Sequence, residues 1–263
     1  LYAYLGGEAV GTATLDLLFG DVNPSGKLAE TFPRRLEDNP SYLYFFGDEQ
    51  NKTEYREGVF VGYRYYDKKN MDVLFPFGYG LSYTTFEYSN LTLDKSEMKD
   101  TDTLTVSVNV RNTGKVKGKE VVQLYVGMPE SRTIRPVKEL RGFEKIELEP
   151  GEEKTVTFTL AKRAFAYYRT DISDWYVESG DYTIMAAKSS RDIACTATVN
   201  VTSTTQIKHV YTMNSTIEEI MESPVGREIL GKMMAQNPLA QADADDIGTV
   251  SYTHLRAHET GRN

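Results

Sequence analysis

The sequence predicts a mainly β protein built around an antiparallel β-sandwich of immunoglobulin type, and three observations predict it. Residues 103–110, TLTVSVNV, alternate strictly, so that Leu104, Val106, Val108 and Val110 share one face. Further runs of strand character follow at KEVVQLYV (119–126), LRGFEKIEL (140–148), KTVTFTL (154–160), DYTIMAA (181–187) and DIACTATVNV (192–201). Turn signals separate neighbours: Asn112-Thr113-Gly114, Glu149-Pro150-Gly151-Glu152 and Glu178-Ser179-Gly180-Asp181. Six or seven short strands with turns at such spacing describe two packed antiparallel sheets.

The segment before the sandwich reads differently. In LGGEAVGTATLDLLFGDVNPSGKLAETFP, Gly6-Gly7 form a turn and Val10, Ala13, Leu17 and Leu18 recur at helical spacing. Gly20 is placed to end that helix in the left-handed conformation, and Asn23-Pro24-Ser25-Gly26 is a turn. Leu28 and Phe32 then open an extended segment. A helix then a strand, with no strand before them, is expected to be the last unit of an α/β layer whose earlier strands are missing. Residues 37–72 are polar, aromatic and irregular, and a connection of that length is usually functional or interfacial.

LFPFGYGLSYTTFEY (74–88) carries six aromatic residues in fifteen positions, with Gly78 and Gly80 among them and Pro76 ahead. Proline and paired glycines exclude a helix interior, and the apolar content excludes an ordinary solvated loop. After residue 203 the period becomes helical. Ser215-Thr216-Ile217-Glu218 has capping-box form, and Ser223-Pro224 sets a cap before a proline at the first helical position. The resulting division is 1–85 for the α/β remnant and aromatic loop, 86–203 for the sandwich, and 204–245 for a linker and short helices. Residues 246–263 form a tail that looks non-native.

Composition narrows the chemistry. A net charge of −8 disfavours nucleic acid, and no run approaches the apolar length of a membrane span. The single cysteine, Cys195, makes no intrachain disulfide and reads as a small hydrophobe on a strand. His254 and His258 have metal-ligand spacing but lie in the tail, so no metal site and no cofactor is expected. There is no Gly-x-Ser-x-Gly elbow, no His-Glu-x-x-His and no phosphate loop. Asp48, Glu49, Glu54 and Glu57 crowd one short region, yet a glycosidase needs two carboxyls at a fixed separation, which a sequence does not display. The chain opens on Leu1 and shows no leader, so it is expected to be cut from something longer, which leaves localisation unknown, cytoplasmic slightly favoured over secreted.

Taken together, several stretches resemble glycoside hydrolase family 3. The opening LGGEAVGTATLDLLFGDVNPSGKLAETFP is similar to the closing helix–strand of that family's α/β-sandwich domain. EGVFVGYRYYD followed by LFPFGYGLSYTTFEYSNL is similar to its junction into a fibronectin type III-like domain. Asn112-Thr113-Gly114, the run Gly118 to Tyr125, Lys138 to Phe143 and Pro150-Gly151-Glu152 match landmarks of that domain. The resemblance covers about residues 1–245. It implies a retaining β-glycosidase of β-glucosidase type, with a (β/α)8 barrel ahead of these domains. It also implies an Asp nucleophile and a Glu acid/base, both upstream, so no catalytic residue is assigned to this chain. On this reading its partners are the missing barrel and α/β domain of the same polypeptide and, through them, a carbohydrate substrate. The fragment alone is expected to be structural and inactive. The aromatic stretch would fill the seam between the two layers, with its glycines allowing close backbone approach, and a sugar-stacking platform is the alternative role for its rings. Within the 42–57 loop, Tyr44, Phe46, Tyr55 and Glu57 are the candidates for a substrate rim, with plain packing as the competing role. The alternative for the whole chain is a non-catalytic carbohydrate-binding or interaction module.

Overall fold

The computed structural model describes residues 1–45, 52–207 and 215–236, and the chain divides into two compact units, Leu1–Gln206 and Ile207–Asn263. The expected tail at 246–263 lies outside the described residues. Among the described residues no helix is long and apolar enough to cross a membrane.

The first unit opens with α1 (Val10–Phe19), which ends at Gly20 in the left-handed conformation, φ 85°, as the glycine predicts. None of its residues is buried, and Leu15, Leu18 and Phe19 are exposed, the last at 80%. The strand expected from Leu28 shrinks to β1 (Phe32–Pro33), antiparallel to β2 (Val73–Phe75). The reason lies in its backbone bonds. Leu28 N–H donates to Tyr79 O and Gly78 N–H to Leu28 O, both at 2.8 Å, so the aromatic stretch takes up the pairing that a longer strand would use. The region expected to be irregular contains α2 (Tyr63–Lys68), six residues with Tyr63 and Tyr66 buried.

The sandwich follows as predicted. Strands β3 (Phe86–Leu93), β5 (Leu104–Asn112) and β8 (Glu153–Leu160) form one sheet in the order β3-β5-β8. The other sheet runs β4-β12-β11-β6-β7, from β4 (Glu97–Lys99), β12 (Ile193–Thr202), β11 (Gly180–Ala187), β6 (Gly118–Gly127) and β7 (Glu139–Leu148). Every pairing is antiparallel except β4 with β12. The alternating face of β5 delivers Leu104, Val106, Val108 and Val110 into a core with Val122, Leu124, Ile184 and Val199, all fully buried. One-turn α3 (Lys162–Phe165) and the hairpin of β9 (Tyr167–Arg169) with β10 (Asp174–Tyr176) close one end.

The aromatic stretch meets the sandwich at Gly78 and the opening segment at Gly80. Gly78 has φ +80°, and a Cβ there would lie 2.1 Å from Gln123 Oε1; a Cβ on Gly80 would lie 2.3 Å from Gly26 O. Both positions admit only a residue without a side chain. Gln123 Nε2 donates to Gly78 O (3.1 Å) and Lys188 O (2.8 Å), while Tyr125 donates its phenol hydrogen to Gln123 Oε1 (2.7 Å). Phe77 stacks on Tyr63 with centroids 4.9 Å apart, and Tyr63 meets Tyr125 edge-on.

In the second unit, α4 (Ile217–Glu222) precedes α5 (Pro224–Gln236). Ser223 Oγ accepts the Gly226 N–H at 2.8 Å, the cap that the Ser-Pro pair predicts.

Three outcomes test this description. Leu104→Ala is expected to destabilise the chain by about 2–5 kcal/mol in urea unfolding, the range for a buried large-to-small change. Gly78→Ala should lose roughly 1–3 kcal/mol from overpacking, and an unchanged midpoint would show that Gln123 does not sit against it. Burial pushes the Tyr182 phenol up to about 12 from 10.0. The folded form therefore keeps that proton to higher pH than the unfolded chain. Its stabilising contribution is complete below the unfolded value and is lost as pH rises through the folded one. Melting temperatures should fall across that alkaline window, and a flat profile would contradict the buried phenol.

Candidate functional site

Gly58 and Gly62, both with positive φ, lead into α2. Too short to be stable alone, α2 takes its position from the sandwich. Asp67, its side chain 6% exposed, accepts from Lys138 Nζ at 2.8 Å and from Arg191 Nε at 3.0 Å. Arg191 also donates to Met71 O at 2.7 Å, and Tyr63 Oη accepts the Leu140 N–H at 2.8 Å. Arg64 reaches Glu139 Oε1 at 3.7 Å, a carboxylate that Arg141 also binds at 2.6 Å.

Against this anchored helix lies a cavity of about 500 Å3, bordered by Thr31, Asn39, Glu57, Tyr63, Arg64 and Phe77 among others. Two atoms of its residues, Glu57 Oε2 and Arg64 Nε, are closed to bulk solvent and have no hydrogen-bond partner. Thr31 and Asn39 beside them are engaged. Thr31 Oγ1 accepts the Phe77 N–H at 3.2 Å, and Asn39 Oδ1 accepts from Ser41 N–H and Oγ–H at 3.0 and 2.7 Å.

The four rim candidates separate on this geometry. Glu57 borders the cavity. Tyr44 is half-buried near Glu57 with the Arg56 guanidinium 5.6 Å from its ring centroid, and its phenol is pushed upward by desolvation and then by the Glu57 carboxylate. Tyr55 is 90% exposed and takes no part in the cavity wall. Phe46 lies outside the described residues. Arg56 holds Glu54 through Nε at 2.6 Å as an exposed ion pair, and Glu54 is not part of the cavity wall. Glu30 borders the cavity too, as an exposed residue. Among the described residues no group of three or more His, Cys, Asp and Glu could hold a metal ion. Tyr63, Arg64 and Asp67 escaped the sequence reading. Their run GYRYYDK has no apolar period, and only the acid–base complementarity of Asp67 with distant Lys138 and Arg191 marks it.

Comparison with known proteins places this geometry. The sequence profile of the glycosyl hydrolase family 3 C-terminal domain matches residues 1–83, and that of a fibronectin type III-like domain matches 120–190. The chain is 56% identical over 257 residues to thermostable beta-glucosidase B of Acetivibrio thermocellus, covering 97% of this chain and 34% of that protein. It is 44% identical over 235 residues to an exo-alpha-(1->6)-L-arabinopyranosidase of Bifidobacterium breve, covering 89% of this chain and 30% of the relative. Among solved structures, a Bifidobacterium adolescentis GH3 beta-glucosidase superposes with a TM-score of 0.78 at 42% identity, covering 87% of this chain and 33% of its own. The chain thus spans about a third of the length of the curated relatives it matches. With an α/β end-piece, an aromatic seam and a β-sandwich in that order, the chain belongs to glycosyl hydrolase family 3 and matches the C-terminal part of its members.

Proposed function

We propose that this chain is the C-terminal part of a retaining β-glycosidase of β-glucosidase type. The complete polypeptide hydrolyses O-glycosidic bonds of β-glucosides or related oligosaccharides, and this part alone is structural. One observation carries the reading: α1 has the apolar spacing of a packed helix, yet buries no residue within the chain. A face of that kind needs a covering layer, and the two thirds of each relative's length that this chain does not span are long enough to provide it. The domain division follows from it, with 1–85 as the closing piece of the α/β layer, 86–203 as the sandwich and 204–245 as linker and helices.

Retaining hydrolysis requires two carboxyls about 5–5.5 Å apart, one as nucleophile and one as acid/base. The family resemblance puts both carboxyls ahead of these domains, so both are assigned to the upstream portion. Glycone choice is assigned there as well, because relatives 56% and 44% identical to this chain carry names for different glycosides. Tyr44, Phe46, Tyr55 and Glu57 are proposed as part of the rim past which substrate enters, with Tyr55 offering an exposed ring to a sugar face.

The chain expressed alone should not turn over 4-nitrophenyl β-D-glucopyranoside, while the polypeptide carrying its upstream portion should. Activity that stays with the isolated chain through every purification step would overturn the assignment. In the complete enzyme, Tyr55→Ala should raise KM for cellobiose and leave kcat in place, the pattern of lost ground-state binding. Unchanged KM would remove Tyr55 from the rim.

A further inference from the structure

The cavity beside α2 contains an unmet pair of opposite chemistry. Glu57 Oε2 is an acceptor without a donor, and Arg64 Nε is a donor without an acceptor. No ion pair joins these two side chains among the described residues, although both border the same space. Buried polar atoms without partners are costly, and although Arg64 also reaches Glu139 through Nη2, a site that keeps two such atoms is suited to a ligand that supplies both needs. The sign of each group limits that ligand. A small anion would satisfy Arg64 and be repelled by Glu57, and a cation would do the reverse. A neutral molecule with neighbouring hydroxyls satisfies both, one hydroxyl donating to Glu57 and the next accepting from Arg64.

We propose that this cavity is a binding site for a neutral polyhydroxyl ring, a glycosyl unit, held by Glu57 as acceptor and Arg64 as donor. Its volume of about 500 Å3 lies within the range of small-molecule pockets. Thr31, Asn39 and Tyr63 at its wall already accept protein hydrogen bonds and Glu30 is exposed, which leaves Glu57 Oε2 and Arg64 Nε as the buried wall atoms without a partner. Phe77 adds apolar surface, fixed by its stack on Tyr63. Glu57 turns its carboxylate toward the incoming hydroxyl by rotation about its terminal torsion, which is broad and of low cost. Arg64 is held at the other side by Glu139 and by the Tyr63 ring, 5.9 Å from its guanidinium carbon. The proposal goes beyond the family assignment, because binding here requires none of the upstream catalytic groups.

The 263-residue chain is titrated with cellobiose, with glucose and with inorganic phosphate, followed by calorimetry and by amide chemical shifts. Saturable binding of cellobiose or glucose in the millimolar range is expected, and none of phosphate. Cellobiose bound more tightly than glucose assigns the site to a chain of sugars; equal binding assigns it to a single ring. Glu57→Gln and Arg64→Lys should each weaken binding about tenfold or more, the effect of losing a hydrogen bond to a charged group, at an unchanged melting temperature. Should Arg64→Lys unfold through its loss of Glu139, the isosteric Glu57→Gln decides alone. The proposal is overturned if neither sugar binds saturably, if Glu57→Gln binds as the parent does, or if phosphate binds in place of sugar. Sugar binding by a chain whose complete polypeptide cleaves no β-glucoside would keep this site and remove the proposed activity; cleavage without binding here would do the opposite.

Discussion

The missing side chain at Gly78 is the constraint on which the seam between the opening segment and the sandwich depends. It lets Gln123, buried on β6, bring its amide against the backbone of the aromatic stretch. A buried amide has several hydrogen-bonding sites to satisfy, and here one nitrogen serves Gly78 O and Lys188 O while the oxygen receives the Tyr125 phenol. Tyr125 is fully buried, so its phenol is driven far above its ordinary value, chiefly by burial, and stays a donor. The seam is therefore a satisfied polar lock inside aromatic packing. Rings alone could slide over one another; the amide fixes which backbone atom of the stretch faces which strand.

A second lock sets α2. Two cations from the sandwich converge on Asp67, and Arg191 also takes the carbonyl of Met71, just beyond the helix. Desolvation offsets much of the attraction in such a buried pair, so its main effect is to choose one arrangement over others. Once Asp67 is placed, helical geometry places Arg64 three residues earlier, where Glu139 meets it, and Tyr63 one residue before that, where it caps the Leu140 N–H. The α2 part of the cavity wall is thus set by contacts with the sandwich, although all of its lining residues come from the opening segment.

This division explains what the sequence showed and what it hid. The sandwich was legible because period-2 burial is local: Leu104 to Val110 announce their face without knowledge of the partner sheet. Gly20 and the Ser223-Pro224 pair were legible for the same reason, since a cap is decided within one turn. The glycines of the aromatic stretch announced a close approach, but not that Gln123 and Gly26 would be the neighbours. Helix α2 was hidden because YRYYDK lacks an apolar stripe and is set by contacts with residues 71 and 124 positions away. The pairing of Leu28 with Tyr79 hid the shortness of β1. The rim candidates were chosen by residue type, so Glu57 at a cavity and Tyr55 in open solvent looked alike.

The two halves of the first unit differ in how they meet the hydrophobic effect. The sandwich closes a core in which Leu104, Leu124, Phe165, Tyr182 and Ile184 are all sealed from water. In α1 the same kind of residue faces outward, and a ten-residue helix is marginal when its apolar face is wet. Stability of the opening segment then comes mainly from where it touches the sandwich, at Gly78, Phe77, Tyr63 and Asp67, and the cavity lies beside those contacts. The Arg64 side of the cavity wall is held from the sandwich, through Lys138 on Asp67, Glu139 on Arg64 and Leu140 on Tyr63.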